Sequence, residues 1–289
     1  MKNPPETRAD FFLVIFCRVW YNPTEERGEY KMRDFLIYFF GEGESVEFAN
    51  FTIAHFAPVL VAIGLILLIY RFRTNLREMK NEKVFRYIIA FVAIISEMSY
   101  YWRLIAMPSL GPNVADNLPI SVCGWVAIFS SYMVIGKSQT LFDISYFWAL
   151  SGSIFAIATP TVISLTGPTR FRYYQFWSEH LIIYIALFYM MFVHQMRPNK
   201  KSFLKAYIGL IVLAVIAYFA NRMIGPGANY LFMARPEDTP SILDILPPNF
   251  ALRLLVMASA ITALFVLVYL PWYIKDRKAA KKEACAEKV

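Results

Sequence analysis

Seven apolar runs recur along the chain, and each is roughly 20 residues long, which is enough for an α-helix to cross the ~30 Å hydrocarbon core of a bilayer. No other feature of the 289 residues restricts the possible folds as strongly. The runs occupy 53–70, 84–106, 118–135, 141–163, 177–196, 203–224 and 250–274. Glycines and prolines separate the runs, as is usual for loops between helices. The sequence therefore predicts an all-α polytopic membrane protein with seven transmembrane helices.

Two shorter parts flank these runs. Stretches 11–20 and 35–40 are aromatic and bounded by charge, which suits segments lying at the membrane interface better than spans. We expect an extracytoplasmic or interfacial segment at 1–50, a seven-helix transmembrane domain at 51–274 and a basic cytoplasmic tail at 275–289. The apolar share of 58% and the mean hydropathy of +0.45 leave no stretch that resembles a soluble domain.

The positive charge of the chain indicates its topology. A net charge of +8 would suggest a nucleic acid partner in a soluble protein, but here Lys and Arg cluster between the apolar runs and in the tail. One side of the predicted membrane holds fifteen of these residues and the other side nine. Because Lys and Arg accumulate in cytoplasmic loops, the asymmetry predicts an N-terminus outside and a C-terminus in the cytoplasm. We expect no nucleic acid partner.

Polar residues of the predicted spans fall mainly near their outer ends. They are His55, Arg103, Cys123, Thr159, His180, Asn221 and Arg253, and Glu97 lies deeper on roughly the same face as Arg103. Ionisable residues inside spans usually face the bundle interior or a water-filled cavity. We therefore expect one outer-leaflet vestibule, in which His55, Glu97, Arg103, Thr159, Asn221 and Arg253 bind substrate.

Cys123 and His180 are the candidate catalytic residues. A free cysteine is often only a small buried apolar residue, and a buried histidine often only completes a hydrogen bond between helices. Together, however, a thiol and an imidazole at similar depth are the minimum apparatus for acyl transfer, with the thiolate as nucleophile and the imidazole as base. Pro119 is predicted to occupy the first helical turn of the third span.

Other chemistries find less support in the sequence. A zinc hydrolase needs three protein ligands, but only His55 and His180 lie on the outer side and no HExxH motif occurs. The three cysteines form no CxxC pair, and GxSxG and phosphate-loop patterns are absent. No lysine lies inside the last span, where a retinal protein normally carries its Schiff base. We expect neither a cofactor nor a metal.

Four short motifs carry a family resemblance. They are His55 in the first span, LPxxxC at 118–123, ATP at 158–160 and FWxxH at 176–180. With these motifs, from about residue 35 to the last span, the chain resembles the YwaF-like family of bacterial integral membrane proteins, which is similar to a eukaryotic family of phospholipid acyltransferases. The resemblance implies a bacterial inner membrane, and a membrane phospholipid or lysolipid as substrate. It also implies that Cys123 and His180 form the catalytic pair. Thr161 replaces an aspartate common in the family, which removes an acid that could have oriented His180.

Two functions remain open at this point. The first is a thiol-dependent lipid acyltransferase or acyl hydrolase, in which backbone N–H groups at the start of the third span, or Arg103, stabilise the oxyanion and His55 and Arg253 contact the headgroup. The alternative is a non-enzymatic membrane carrier or binding protein for a lipid or small polar solute, which would use the same vestibule without a nucleophile.

Overall fold

The computed structural model describes residues 26–41, 48–160, 166–235 and 245–286, and this part of the chain is helical. Its α-helices, in chain order, are α1 (Glu26–Phe40), α2 (Ile53–Arg71), α3 (Arg73–Glu78), α4 (Glu82–Ala106), α5 (Val122–Gly136), α6 (Gln139–Trp148), α7 (Ile154–Ala158), α8 (Phe171–Phe192), α9 (Lys200–Ile224) and α10 (Phe250–Ala286). A π-helical segment, Ala149–Ser153, joins α6 to α7. Short 3-10 turns lie at Pro108–Leu110 and Tyr230–Phe232.

All seven predicted spans coincide with helical segments of this structure. Five helices are long and apolar enough to cross a membrane: α2, α4, the continuous segment Gln139–Ala158, α9 and Phe250–Glu283 of α10. The predicted third span is the shorter α5, of 15 residues, and the predicted fifth span is α8, whose first half is polar. The described helices therefore fit an integral membrane protein, and the count of seven spans stays a prediction.

Several helix ends differ from the predicted ones. The third span begins at Val122 and not at residue 118, because Ser121 caps it and its Oγ accepts a hydrogen bond from the Gly124 N–H at 3.1 Å. The prediction that Pro119 occupies the first turn is therefore wrong. The fourth span ends at Ala158, and 161–165 lie outside the described residues. The last helix continues through the predicted basic tail to Ala286.

Helices α4, α5 and α8 form the centre of the bundle, where each packs against the other two. Buried small residues, Ala90 and Ala93 on α4 and Ala127 on α5, allow close approach of the backbones. The Ser131 hydroxyl adds a 2.9 Å hydrogen bond across this interface to the Ala90 carbonyl. Helix α2 packs on α8, and α6 packs on α5 and α9. Cys123, Glu97 and His180 thus lie on the three central helices.

The outer helices present apolar surface to their surroundings. Leu60 on α2 and Leu255 on α10 are each 63% exposed, and large apolar side chains of α9 such as Ile211 are also exposed. Exposed apolar side chains of this size on several neighbouring helices are what lipid contact requires. Helix α1 contains the stretch 35–40 that we expect at the interface, and exposes Phe35 and Leu36. Stretch 11–20 lies outside the described residues.

A polar cluster closes the bundle at the end away from Cys123. Arg86 donates to Glu82 at 3.0 Å and to the Val134 carbonyl at 2.7 Å, which joins α4 to the end of α5. The Tyr189 hydroxyl and His194 Nε2 lie 2.9 and 2.8 Å from Glu82 Oε1. His194 follows the end of α8, and burial lowers the pKa of its imidazole. The cluster therefore ties α4, α5 and α8 together at this end.

Candidate thiol and imidazole site

His180 lies in the first half of α8 and is buried. Its Nδ1 is 2.9 Å from the carbonyl oxygen of Phe176, one turn earlier on the same helix. A carbonyl only accepts hydrogen bonds, so Nδ1 carries the hydrogen and Nε2 of the neutral ring keeps its lone pair. The Phe176 ring stacks on the imidazole with 4.2 Å between centroids. The local sequence FWxxH thus fixes both the tautomer and the plane of the ring.

Cys123 is the second residue of α5 and is half-buried. Its side chain lies close enough to the His180 imidazole for the two groups to interact electrostatically. Because Nδ1 is engaged with Phe176, Nε2 is the nitrogen left to accept the thiol hydrogen. The first N–H groups of a helix lack intrahelical partners and carry partial positive charge, which favours an anion at this position. The structure therefore brings the thiol and the imidazole together at a helix N-terminus.

Glu97 of α4 approaches the first turn of α5, next to Cys123 in the chain. Its carboxyl group lies against the backbone of Gly124, where an added β-carbon would be only 2.5 Å from Glu97 Oε1. Only glycine lets the carboxyl group approach α5 so closely. Glu97 also interacts electrostatically with Glu179 and His180 of α8.

Glu179 extends this polar group along α8. Its Oε2 accepts a 2.8 Å hydrogen bond from Gln175 Nε2, which also donates to the Ser96 carbonyl at 2.8 Å. Gln175 Oε1 accepts from Arg172, whose guanidinium lies 4.7 Å from the centroid of the Tyr100 ring. A chain of hydrogen bonds therefore connects a cation at the start of α8 to the carboxyl group of Glu179, the residue before His180.

Sequence reasoning missed Glu179, Gln175, Tyr101 and Arg172. The signal for Glu179 was present, because an acid inside an apolar helix next to His180 is expensive and usually functional. Gln175 and Tyr101 gave no comparable signal, since neither carries a charge whose burial would be costly.

His55 lies elsewhere than the predicted substrate cavity. Its Nδ1 accepts from the Phe51 N–H at 3.0 Å, and its Nε2 donates to the Ile157 carbonyl at 2.9 Å. Its ring stacks on Phe56, with 5.3 Å between centroids, and lies 5.5 Å from the Trp177 ring. Both nitrogens are used by backbone groups, so His55 joins the start of α2 to the end of α7 and offers no free nitrogen to a substrate.

Arg103 and Thr159 also serve the backbone. The Arg103 guanidinium donates to the carbonyls of Phe40, at 2.5 Å, and Gly41, at 3.4 Å, so it caps the C-terminus of α1. Thr159 is exposed at the end of α7, and its hydroxyl bonds to the Phe155 carbonyl at 3.2 Å. Neither residue contributes to the group around Cys123 in the way that we predicted.

Asn221 and Arg253 support loops rather than the thiol. The Asn221 amide bonds to both backbone groups of Tyr230, at 2.7 and 3.0 Å. Arg253 is fully buried and donates to the carbonyls of Pro247 and Phe232 at 3.0 and 3.1 Å. The structure thus places Cys123, His180 and Glu97 near one another, while the other candidates bind backbone groups.

Comparisons with known proteins place these residues within one matched region. The model of the TMEM164 family matches residues 48–269, which include every residue of the group around Cys123. A protein of Treponema pallidum (strain Nichols), described only as uncharacterized, is 30% identical over 164 residues. That match covers 56% of this chain and 65% of the relative, which is less than two thirds of its length. No solved structure matches the chain.

Proposed function

The chain belongs to the TMEM164 family, and we propose that it is an intramembrane lipid acyltransferase or acyl hydrolase that works through the Cys123 thiol and the His180 imidazole. One observation carries the proposal: a half-buried thiol at a helix N-terminus lies beside a buried imidazole whose Nδ1 is held by the Phe176 carbonyl. A nucleophile beside an oriented base is the arrangement that covalent acyl transfer requires.

The reaction would proceed in two steps. His180 Nε2 takes the thiol proton, and the thiolate attacks the ester carbonyl of a phospholipid. When the tetrahedral intermediate collapses, the C–O bond breaks and the leaving lysolipid oxygen takes the proton from His180, which leaves the acyl group as a thioester on Cys123. A lysolipid hydroxyl or water then attacks the thioester, gives its proton to His180, and the thiolate leaves and is reprotonated.

The oxyanion of each step needs hydrogen-bond donors near Cys123. The first turn of α5 supplies them, because the N–H groups of Val122 and Cys123 belong to the turn that has no intrahelical acceptors. Arg103, the other candidate from the sequence, is engaged at the end of α1. We therefore assign the oxyanion to the start of α5.

A membrane phospholipid or lysolipid is the substrate class that fits this site. The thiol lies within a bundle whose outer helices expose large apolar side chains, so a substrate that enters from the side meets an apolar surface first. The resemblance to YwaF-like proteins and to eukaryotic phospholipid acyltransferases supports the same class. The basic asymmetry of the loops supports a bacterial inner membrane location with the N-terminus outside and the C-terminus in the cytoplasm.

Acyl transfer in lipid vesicles tests the proposed function. The full-length protein is reconstituted with a phospholipid that carries a labelled fatty acyl chain, with and without lysolipid, and the labelled products are separated by chromatography. We expect transfer or hydrolysis that Cys123→Ala abolishes, while Cys285→Ala, which removes an exposed thiol far along α10, retains it. Binding of lipid without turnover, equal in the two variants, would overturn the proposal in favour of the carrier.

A further inference from the structure

We propose that Ser153 and Trp177 donate hydrogen bonds to ester carbonyl oxygens of a lipid bound beside Cys123 and His180. The inference rests on the proposed function for the class of substrate, and it names the part of the lipid that the protein recognises. Neither the Ser153 hydroxyl nor the Trp177 indole N–H, both of which are buried, has a hydrogen-bond partner within the part of the chain that the structure describes.

The two unpartnered groups are costly in a folded protein. Ser153 is fully buried and Trp177 is 3% exposed. A buried hydroxyl or indole N–H loses its hydrogen bonds to water, so nearly all such groups in proteins find a partner, and exceptions are expected at functional sites. An indole N–H only donates and a hydroxyl can donate. The ligand group that suits both is therefore an acceptor, such as the carbonyl oxygen of an ester.

Two contacts fix how the π-helical segment and α7 lie along α8. At one level, the Tyr184 hydroxyl donates to the Ala149 carbonyl at 2.9 Å. At the other level His55 is the link, since its Nε2 donates to the Ile157 carbonyl at 2.9 Å and its ring lies 5.5 Å from the Trp177 ring. The chain direction from the first level to the second is opposite in the two segments, so they run antiparallel.

This register brings Ser153 to the level of the thiol and the imidazole. Ser153 lies four residues from each contact point on its own segment, and His180 lies between the two contact points on α8. Gly152 gives the same placement from the side of α5, because a β-carbon added to it would lie 3.5 Å from Val122 Cγ1. Val122 directly precedes Cys123. An unpartnered hydroxyl is therefore buried at the level at which acyl transfer is proposed.

The π-helical segment removes the usual partner of the Ser153 hydroxyl. A serine inside a helix commonly bonds to the carbonyl four residues earlier, which here is that of Ala149. That carbonyl already accepts from the Ile154 N–H, in the π-helical pattern, and from the Tyr184 hydroxyl. A carbonyl oxygen has two lone pairs, so it has no capacity left for Ser153. Single π-helical turns are frequent at functional sites, and this one leaves a donor for a ligand.

The seam between the π-helical segment and α5 gives a lipid access to this level. Gly152, Val122 and Cys123 are half-buried there, and Ile154 and Phe155 of α7 are each 40% exposed. Acyl chains can lie on this apolar surface while the ester groups enter the seam. A glycerophospholipid carries two neighbouring ester carbonyls, so one can meet the start of α5 while the other accepts from the buried donors.

A pair of lipids tests this recognition without turnover. Full-length Cys123→Ala protein in detergent micelles is mixed with equal amounts of dioleoyl phosphatidylglycerol and its dialkyl ether analogue, which lacks both ester carbonyls. Native mass spectrometry then measures the bound fraction of each lipid. We expect the ester lipid to bind roughly tenfold more tightly. Ser153→Ala and Trp177→Phe each remove one donor, so each should reduce the preference to about threefold, and the double variant should have none.

Ser145→Ala is the matched control. Ser145 is also fully buried and has no hydrogen-bond partner among the described residues, but it lies in α6, eight residues before Ser153. We expect this variant to keep the preference for the ester lipid. Removing an unpartnered hydroxyl takes away a cost of burial, so neither serine variant should have a lower melting temperature.

Equal binding of the two lipids by protein that retains Ser153 and Trp177 would overturn the proposal, and this comparison stands even where a variant does not fold. A preference that survives in the double variant, that Ser145→Ala also removes, or a lower melting temperature of Ser153→Ala would overturn it as well. If the lipids and variants behave as expected but the unsubstituted protein transfers no acyl groups, only the proposed function fails. Transfer that depends on Cys123 without any preference for the ester lipid would refute only the recognition by Ser153 and Trp177.

Discussion

Gly124→Ala should separate the carboxyl group of Glu97 from α5. The added β-carbon would lie 2.5 Å from Glu97 Oε1 and 2.9 Å from Ser121 Oγ. Since ordinary contact needs roughly 3.5 Å, the carboxyl group must withdraw by about 1 Å. We expect a loss of unfolding free energy, because the carboxyl group and α5 can then no longer pack as closely.

Gly136→Ala, at the last residue of the same helix, is the matched control because a β-carbon added there would have no neighbouring atom within 4 Å. Replacing glycine by alanine raises helix propensity by about 1 kcal/mol in both variants, so their difference isolates the crowding. Overpacking of a core costs about 1–3 kcal/mol, and we expect Gly124→Ala to be less stable than Gly136→Ala by that amount.

The assay is unfolding of the purified protein in mixed micelles, followed by circular dichroism. Removing the crowded carboxyl group by Glu97→Ala should reduce the cost of Gly124→Ala, because the two residues are in direct contact. Equal stability of the two glycine variants, or an unchanged cost of Gly124→Ala in the Glu97→Ala background, would refute the reasoning.

Three further predictions concern buried or partly buried residues whose hydrogen bonds hold helices and loops together. His55→Ala should lower the unfolding free energy by about 2–5 kcal/mol, because it removes two buried hydrogen bonds, and thermal unfolding against a His55→Gln variant would show whether bonding is the cause. Tyr230→Phe should lower the unfolding free energy by about 1–3 kcal/mol, since it removes the hydroxyl that accepts a 2.8 Å hydrogen bond from the Leu118 N–H. An unchanged melting temperature would contradict this prediction. Burial lowers the pKa of the His194 imidazole, so the unfolded chain binds a proton at a higher pH than the folded protein does. The free energy of unfolding should therefore fall as the pH drops below about 6.5. A His194→Gln variant should lose that part of the pH dependence, which unfolding at several pH values would reveal.

The helical character of the chain was accessible from the sequence because it depends on local composition. Apolar runs of roughly 20 residues specify helices whatever their neighbours are. The thiol and the imidazole were also accessible, since each stands out as a reactive side chain in an apolar setting. The ends of the helices were less accessible from the sequence. The start of α5 depends on whether Ser121 or Pro119 begins the helix, and only the hydrogen bond from the Gly124 N–H to Ser121 Oγ decides between them.

The partners of the polar residues were decided by the tertiary structure. Arg103 and Arg253 have the charge and depth expected of substrate ligands, yet both donate to carbonyl groups, and the position of a carbonyl group is not encoded by residue type. Glu97 and Glu179 meet because α4 and α8 pack together, and Gly124 permits the approach of Glu97 to α5. The sequence by itself determined the helices and singled out Cys123 and His180, whereas packing of α4, α5 and α8 determined which charges surround these two residues, because such contacts join residues distant along the chain.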